Sequence, residues 1–199
     1  STKDPSLSHI AFNKDNAYWI WNALFYIFHN VHKISTSQVY VNCLTVISEL
    51  LNIFLLAEDN VALDPHGVQS ELPRMPLLSV FGPVFFQAAN DTARAGGAAI
   101  AFGALSRLFC RRFPTHPLPV LSHYYFALTK GFYSNNHAIL WPIISSSYAI
   151  FAQGLEGVNV LIPFYINAIN ELLFSQSTVP PPSTGRTKCI MVLSSLVSY

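Results

Sequence analysis

Polar side chains recur every three or four residues along the strongly apolar stretch VYVNCLTVISELLNIFLLAED, which covers residues 39–59. That spacing places them on one face of an α-helix. In a lipid bilayer, a carboxylate near the middle of the span would cost about 2 to 3 kcal/mol. The pattern therefore predicts a helix with one face in water and the rest of its circumference against protein. The polar positions are Asn42, Thr45, Ser48, Glu49 and Asn52.

Helical periodicity continues along most of the chain, and strand-like alternation is rare. A first helix is predicted from Asp15 as its N-cap, and residues 35–37 supply capping oxygens for the second helix. Because the connection is short, the two helices are expected to form an antiparallel hairpin. The polar stripe predicted for the first helix comprises Asn22, Tyr26, His29, Asn30 and Lys33.

Five further helices are predicted after this hairpin. The third is expected to kink or break at Gly82-Pro83. The fourth, ARAGGAAIAFGALSRLFCRR, is rich in Ala and Gly, so that a neighbouring backbone can approach it closely. Pro119 fits the first turn of a fifth helix, and Asn135 is predicted to cap a sixth that runs to about residue 151. The seventh is predicted to share one apolar face among Leu161, Tyr165, Ala168 and Leu172.

The order of these helices predicts an all-α fold, an α-solenoid of stacked helical hairpins of the HEAT or armadillo type. Hairpins begin near residues 16, 75, 118 and 157. The later spacings fall near the roughly 40 to 47 residue period of such repeats. The predicted organisation is a first helical hairpin with an N-terminal extension at 1–57, an acidic loop at 58–74, stacked hairpins at 75–176, a proline-rich linker at 177–185, and the start of a further helix at 186–199.

Composition raises the question of what covers so apolar a chain. Of its 199 residues, 51% are hydrophobic and 11% charged, against a usual charged share of about 25%. A stack of hairpins explains the low charge, because inner helices are covered on two sides. We expect the chain to be a piece of a longer protein, since it opens with Ser1 and shows no signal peptide. The net charge of +1 gives no basic field, so a nucleic-acid partner is not expected.

A polytopic membrane protein is the alternative that the hydrophobicity keeps open. Its strongest support is the uncharged run at residues 131–155. That run nevertheless contains Pro142 and many hydrogen-bonding side chains, including the serines at 145–147. Such a segment is poorly suited to facing lipid. We therefore expect no transmembrane span.

Candidate chemistry is sparse in the sequence. None of the common nucleophile, phosphate-binding, dinucleotide-binding or zinc-protease motifs occurs. His29 and His32 have a spacing that permits a shared metal ion, but two surface histidines on a helix are the preferred interpretation. His116, His123 and His137 are scattered. We predict no catalytic, cofactor-binding or metal-binding residue, and no cofactor. A hydrolase with a buried site assembled from distant His, Ser and Asp residues is a third possibility.

Arginines and cysteines each allow two interpretations. Arg107, Arg111 and Arg112 suit the C-terminus of the fourth helix, and the alternative is an arginine that completes another protein's active site. The three cysteines, Cys43, Cys110 and Cys189, are odd in number and far apart. Buried free thiols are therefore favoured over disulfides, which indicates a reducing, cytoplasmic location.

Four stretches carry a resemblance to a known family. They are LLSVFGPVFFQAA at 77–89, GAAIAFGALSRLFCRRF at 97–113, LPVLSHYYFALTKGF at 118–132 and LEGVNVLIPFYINAINELL at 155–173. In this order and approximate spacing they resemble the helical N-terminal region of the Ral GTPase-activating protein subunits, of alpha or beta type, which are relatives of tuberin. None of the four motifs is catalytic.

The resemblance implies a scaffold. Members of that family are long subunits of a heterodimer that accelerates GTP hydrolysis by Ral-type small GTPases, with a catalytic asparagine in a separate domain. The expected function is thus a non-catalytic scaffold region that supports GTPase activation and small-GTPase signalling. Its expected partners are the other subunit of the complex and, through the catalytic domain outside this chain, a Ral-type small GTPase. No catalytic residue carries over to this sequence.

Overall fold

The computed structural model describes residues 14–62, 76–111, 116–174 and 183–197, and this part of the chain contains helices and no strand. The predicted all-α fold is therefore confirmed. Short 3₁₀ turns lie at Val31–Lys33, Phe151–Gln153 and Val158–Leu161. The helices are α1 Lys14–Asn30, α2 Ser37–Ala62, α3 Leu77–Asn90, α4 Ala95–Phe109, α5 Leu118–Tyr133, α6 His137–Ser146, α7 Ile162–Phe174 and α8 Ser183–Val197.

The helices pack in a regular order. Helix α4 lies between α2 and α6, and α6 also packs against α8. In the same way α5 lies between α3 and α7. Contacts between α3 and α4, between α5 and α6, and between α7 and α8 join the two sets. Helix α4 therefore has neighbours on several sides. Helix α2 packs on α4 and, through the Trp21–Phe54 ring contact, on α1, but its Val46 and Ile53 side chains are exposed.

Small residues let the neighbours of α4 approach closely, as the Ala and Gly content predicted. A Cβ added at Gly97 would lie 2.4 Å from Cε1 of Tyr40, and one at Gly96 would lie 3.1 Å from Val41. Most of α4 is consequently covered. Its buried residues are Gly97, Ala98, Ala101, Phe102, Ala104, Leu105, Ser106, Leu108 and Phe109.

Helix α3 is not interrupted at Gly82-Pro83, so a break there is wrong, while the kink that was expected as its alternative stays a prediction. The helix continues from Leu77 to Asn90 with Pro83 inside it. Proline removes the amide that would bond to the carbonyl of Ser79. Both Pro83 and Ser79 are exposed, so this carbonyl lies at the surface. The loss of one hydrogen bond is therefore tolerated.

The cap and the end of α6 differ from the prediction. Asn136 caps the helix through its side chain, which accepts the Ala138 N–H at 2.9 Å, whereas Asn135 takes a left-handed φ of 48° before it. The helix ends at Ser146 and not near residue 151. Hydroxyls of Ser146 and Ser147 donate back to carbonyls one turn earlier. Such bonds compete with helix continuation.

Two predicted boundaries move. Helix α2 runs to Ala62, so the acidic loop does not begin at residue 58; the remainder of that loop, from 63 to 74, lies outside the described residues. Glu58 stays helical and bonds to Arg111 with an N–O distance of 2.9 Å. Helix α8 begins at Ser183, inside the predicted linker at 177–185.

One described helix passes a test of length and composition for a membrane span. This is the stretch Ser37–Glu58 of α2, of which 33% is buried inside the structure. The uncharged run at 131–155 contains the last three residues of α5, the ten-residue α6 and short turns. A ten-residue helix is far shorter than the roughly 20 residues that a span needs. The polytopic membrane alternative is therefore not supported.

Candidate functional site

The histidines singled out in the sequence do not converge. His29 is exposed and its Nδ1–H donates to the Phe25 carbonyl at 3.0 Å, and His123 does the same to Pro119 at 2.9 Å. His116 packs on the ring of Phe109 at 4.8 Å between centroids. His137 lies 3.6 Å from a carboxylate oxygen of Glu171. Within the described ranges, no group of three or more His, Cys, Asp or Glu residues is placed to hold a metal ion.

A polar joint built around Arg94 connects the first hairpin to α3 and α4. The guanidinium lies over the Tyr40 ring, 3.8 Å from its centroid. Its Nε donates to the Asp91 carboxylate, and its Nη1 donates to the carbonyl of Ile34 at 3.2 Å. These contacts hold the turn before α4 against the turn before α2. We call the group His32, Tyr40, Asp91 and Arg94 the Arg94 joint.

His32 is the titratable histidine of this joint. Its Nδ1 lies 3.4 Å from the Tyr40 hydroxyl, while its Nε2 is buried without a hydrogen-bond partner. Burial lowers the pKa of His32, and the Arg94 charge lowers it further. Both effects disfavour the imidazolium form. His32 is therefore held neutral in the folded protein.

Two arginines at the end of α4 reach across to α2. Arg107 donates to the Ser48 hydroxyl, and Arg111 donates to Glu58. Ser48 was predicted to face water, but it is only 4% exposed because Arg107 and α4 cover it. Burial lowers the pKa of the Arg107 guanidinium, and the nearby Glu49 opposes this shift. These two guanidinium groups tie helices together inside the protein; Arg112 lies outside the described residues.

A chain of hydroxyls runs through the core between α4, α5, α6 and α7. The hydroxyl oxygens of Ser146 and Ser106 lie 3.2 Å apart, and those of Ser106 and Tyr124 lie 3.0 Å apart. Farther along, the Ser147 and Tyr165 hydroxyls are in hydrogen-bond contact. These buried hydroxyl groups serve as hydrogen-bond partners for one another. We call them the core hydroxyl chain.

The acid–base properties of this core chain do not suit nucleophilic chemistry. Burial raises the pKa of Cys110 to about 12 and that of Tyr124 well above its ordinary value. Burial likewise raises the pKa of Tyr165. A reactive thiol or hydroxyl needs a lowered pKa or an adjacent base, and neither accompanies these groups. Their evident contribution is to packing.

Sequence reasoning missed this chain, although one signal for it existed. Ser106, Ser146 and Ser147 are polar residues within apolar helical runs. A hydroxyl in such a run needs a partner, and here the partner is a buried tyrosine of another helix. Residues 18 and 40 positions apart in the chain make these bonds.

The remaining candidate surface is apolar. Helix α2 exposes Val46, Ile53 and Leu56 at 68%, 62% and 63%. Val46 was predicted to be covered, and that prediction is wrong for the chain as described. Helices α1 and α8 also expose large apolar side chains. Exposed apolar patches on proteins commonly mark interaction surfaces.

Comparisons with known proteins point in one direction. No family model and no solved structure matches the chain. Over 193 residues it is 28% identical to a Rap-GAP domain-containing protein of Dictyostelium discoideum, a match that covers 94% of this chain. Over 128 residues it is 30% identical to the Ral GTPase-activating protein subunit beta of Homo sapiens, covering 59% of this chain. The chain is therefore similar to proteins described as Rap- and Ral-GTPase-activating.

This relationship confirms the resemblance at the level of the group and not of a subunit type. The chain spans only 11% and 9% of the lengths of these two relatives. The greater part of each relative therefore lies outside the matched region.

Proposed function

We propose that this chain is a non-catalytic scaffold region of a GTPase-activating protein that acts on Ral-type small GTPases. The observation that carries the proposal is the match to a Rap-GAP domain-containing protein along 94% of the chain. The polar groups of the described residues support it, because the Arg94 joint and the core hydroxyl chain connect helices to each other. Such groups stabilise a scaffold.

The architecture proposed for this scaffold is an α-solenoid. In such folds each hairpin contacts its neighbours along the stack. Packing of α4 between α2 and α6, and of α5 between α3 and α7, supports this arrangement. We further propose that the scaffold resides in the cytoplasm and binds the other subunit of a heterodimeric complex. The catalytic domain for the small GTPase would then lie elsewhere in the longer polypeptide.

A GTP hydrolysis assay tests the catalytic part of the proposal. The purified chain is added to GTP-loaded Ral and, in parallel, to GTP-loaded Rap, and phosphate release is followed. The expected result is an unchanged hydrolysis rate for both GTPases. Acceleration of either one by this chain alone would show that the segment is catalytic.

A deletion within the longer protein tests the scaffold part. Removal of the region corresponding to residues 14–197 is expected to abolish co-purification with the partner subunit. The separately expressed catalytic domain is the control, and its intrinsic rate on Ral is expected to persist. Normal assembly of the shortened protein would contradict the scaffold function.

A further inference from the structure

Helix α2 carries an apolar stripe on the side opposite its buried face. Val39, Val46 and Ile53 recur at seven-residue intervals, and Leu56 follows one turn later. All four are exposed, by 48%, 68%, 62% and 63% respectively. We call these four residues the α2 stripe. Apolar residues at heptad spacing are what a helix presents to a helix packed along it.

Buried positions on α2 show that the stripe is a second apolar face. Tyr40, Leu44 and Leu51 are fully buried, and the first two contact Gly97 of α4. The stripe lies about half a turn away from them around the helix at 100° per residue. One side of α2 is therefore packed as in the interior of the fold, while the other presents the four stripe residues together with the exposed Asn42 and Glu49 and has no cover among the described residues.

Comparison with α4 indicates what kind of element would cover the stripe. Along α4 only Gly96 is classed as exposed, because helices lie on both sides of it. The contact from α2 to α4 is repeated from α4 to α6 and from α6 to α8. Continuing this series beyond α2 places one more helix on the stripe.

The charge of Glu49 indicates which kind of side chain the covering helix should place opposite it. Glu49 is the only charged residue between Ser37 and Ala57, and it lies between Val46 and Ile53 on the exposed side. Its Oε2 accepts a hydrogen bond from the Asn52 amide at 3.1 Å. Arg107 is near enough to interact with this carboxylate, but its guanidinium donates to Ser48. At a further helix contact, the carboxylate would be stabilised by a cationic partner of its own.

We propose that the α2 stripe is a stacking surface covered by an amphipathic helix of a further hairpin of the same, longer polypeptide, with a Lys or Arg against Glu49. The inference rests on the proposed solenoid. Both relatives support this occupant, since the matched region is 11% and 9% of their lengths and leaves ample chain for further hairpins. The stripe is then distinct from the surface that binds the other subunit.

Photo-crosslinking in the longer protein tests the occupant directly. The photoreactive amino acid p-benzoyl-phenylalanine replaces Val46, and cross-linked peptides are identified by mass spectrometry. The matched control carries the same group at Phe126, which is 66% exposed on α5. The expected product joins Val46 to a segment of the same polypeptide outside the 199 residues, with no increase in molecular mass.

Other products would overturn the proposal. These are a cross-link to a second copy, to the partner subunit, or to another segment within the 199 residues, and a yield at Val46 no higher than at Phe126. The readout does not depend on GTP hydrolysis. If the cross-link fails while the GTP hydrolysis rate is unchanged, as expected, the stacking surface alone is refuted. The proposed scaffold function is tested separately, by the hydrolysis assay and the deletion.

Charge exchange tests the cationic partner. Glu49→Lys is expected to reduce the Val46 cross-link at least threefold, and reversal of the cationic residue found opposite it is expected to restore the yield. In the isolated chain, Glu49→Lys should leave the helical circular dichroism unchanged, because this side chain is exposed. A Val46 cross-link that is insensitive to this charge would overturn the assigned pairing.

Discussion

Helices α2 and α4 are both strongly apolar, yet their environments in the fold are very different. Helix α4 lies between two neighbours and has small residues where they approach, so nine of its fifteen residues are buried and only Gly96 is exposed. Helix α2 packs on one side and leaves valine, isoleucine and leucine side chains exposed on the other. Apolar composition therefore measures a tendency to leave water, while the number of neighbours decides whether that tendency is satisfied.

Truncation of a large side chain should show the difference between the two helices most clearly. Phe102→Ala in α4 removes a fully buried ring and is expected to lower the free energy of unfolding by about 3 to 5 kcal/mol. Ile53→Ala in α2 removes an exposed side chain and should change it by less than about 0.5 kcal/mol. Urea denaturation of both variants measures the difference. Equal losses would mean that the α2 stripe is covered within the isolated chain.

Glycines of α4 offer a second contrast within one helix. Gly97→Ala places a Cβ 2.4 Å from a ring carbon of the buried Tyr40, and such overpacking costs about 1 to 3 kcal/mol. At Gly103 the nearest atom is 4.0 Å away, at the end of the Arg107 side chain. Gly103→Ala should therefore stabilise the protein by up to about 1 kcal/mol through helix propensity. Thermal melts should show shifts of opposite sign.

Removal of a buried hydroxyl is expected to lower the free energy of unfolding, whereas removal of an exposed hydroxyl should leave it nearly unchanged. Ser106→Ala leaves the buried Tyr124 hydroxyl without its oxygen partner, at an expected cost of about 1 to 3 kcal/mol. Thr45→Ala in α2 removes an exposed hydroxyl that bonds only to its own helix and should be near neutral. Chemical denaturation of the pair is the measurement. A neutral Ser106→Ala would show that the core hydroxyl chain contributes nothing to stability.

Protonation of His32 should loosen the α2 side of the fold. The pKa of His32 in the folded protein lies below 6.5, so the native state binds fewer protons than the unfolded state. The stability that His32 contributes is therefore present above pH 6.5 and is lost as the pH falls through the folded pKa. The protection factors of α2 amides, which correct for the slower chemical exchange at lower pH, are therefore expected to fall between pH 7.5 and 5.5. His32→Gln should reduce this loss of protection.

His116 provides the control, because burial lowers its pKa too and it sits against Phe109 of α4. His116→Gln should leave the acid sensitivity of α2 unchanged and reduce that of α4 and α5. The groups facing His32 are Tyr40, Asp91 and Arg94. An acid response of α2 that survives His32→Gln would contradict its assignment to His32.

Prediction from the sequence succeeded where a single helix contains the needed information. The shared face of α7 is confirmed, since Leu161, Tyr165, Ala168 and Leu172 are all buried. Periodicity within one segment is enough to fix such a face. Prediction failed at Pro83, where the carbonyl left without its amide partner lies at the surface. It also failed at the end of α6, where serine hydroxyls donate to carbonyls one turn earlier.

For the candidate site, the sequence supplied the absence of enzyme motifs and the family resemblance, and little else. The roles of Ser48 and Ser106 depend on Arg107 and Tyr124, which belong to other helices. Nothing in the sequence spacing pairs these residues. The same holds for the Arg94 joint, where Arg94 donates to Ile34, a residue 60 positions earlier.

The sequence by itself determined that this protein is helical, that its helices are amphipathic or broadly apolar, and that it is similar to proteins described as small-GTPase-activating. Only the tertiary structure decided which apolar faces are buried and which, like the α2 stripe, are exposed. The physical reason is that helix formation depends on hydrogen bonds within one turn, whereas burial depends on atoms supplied by distant segments of the chain.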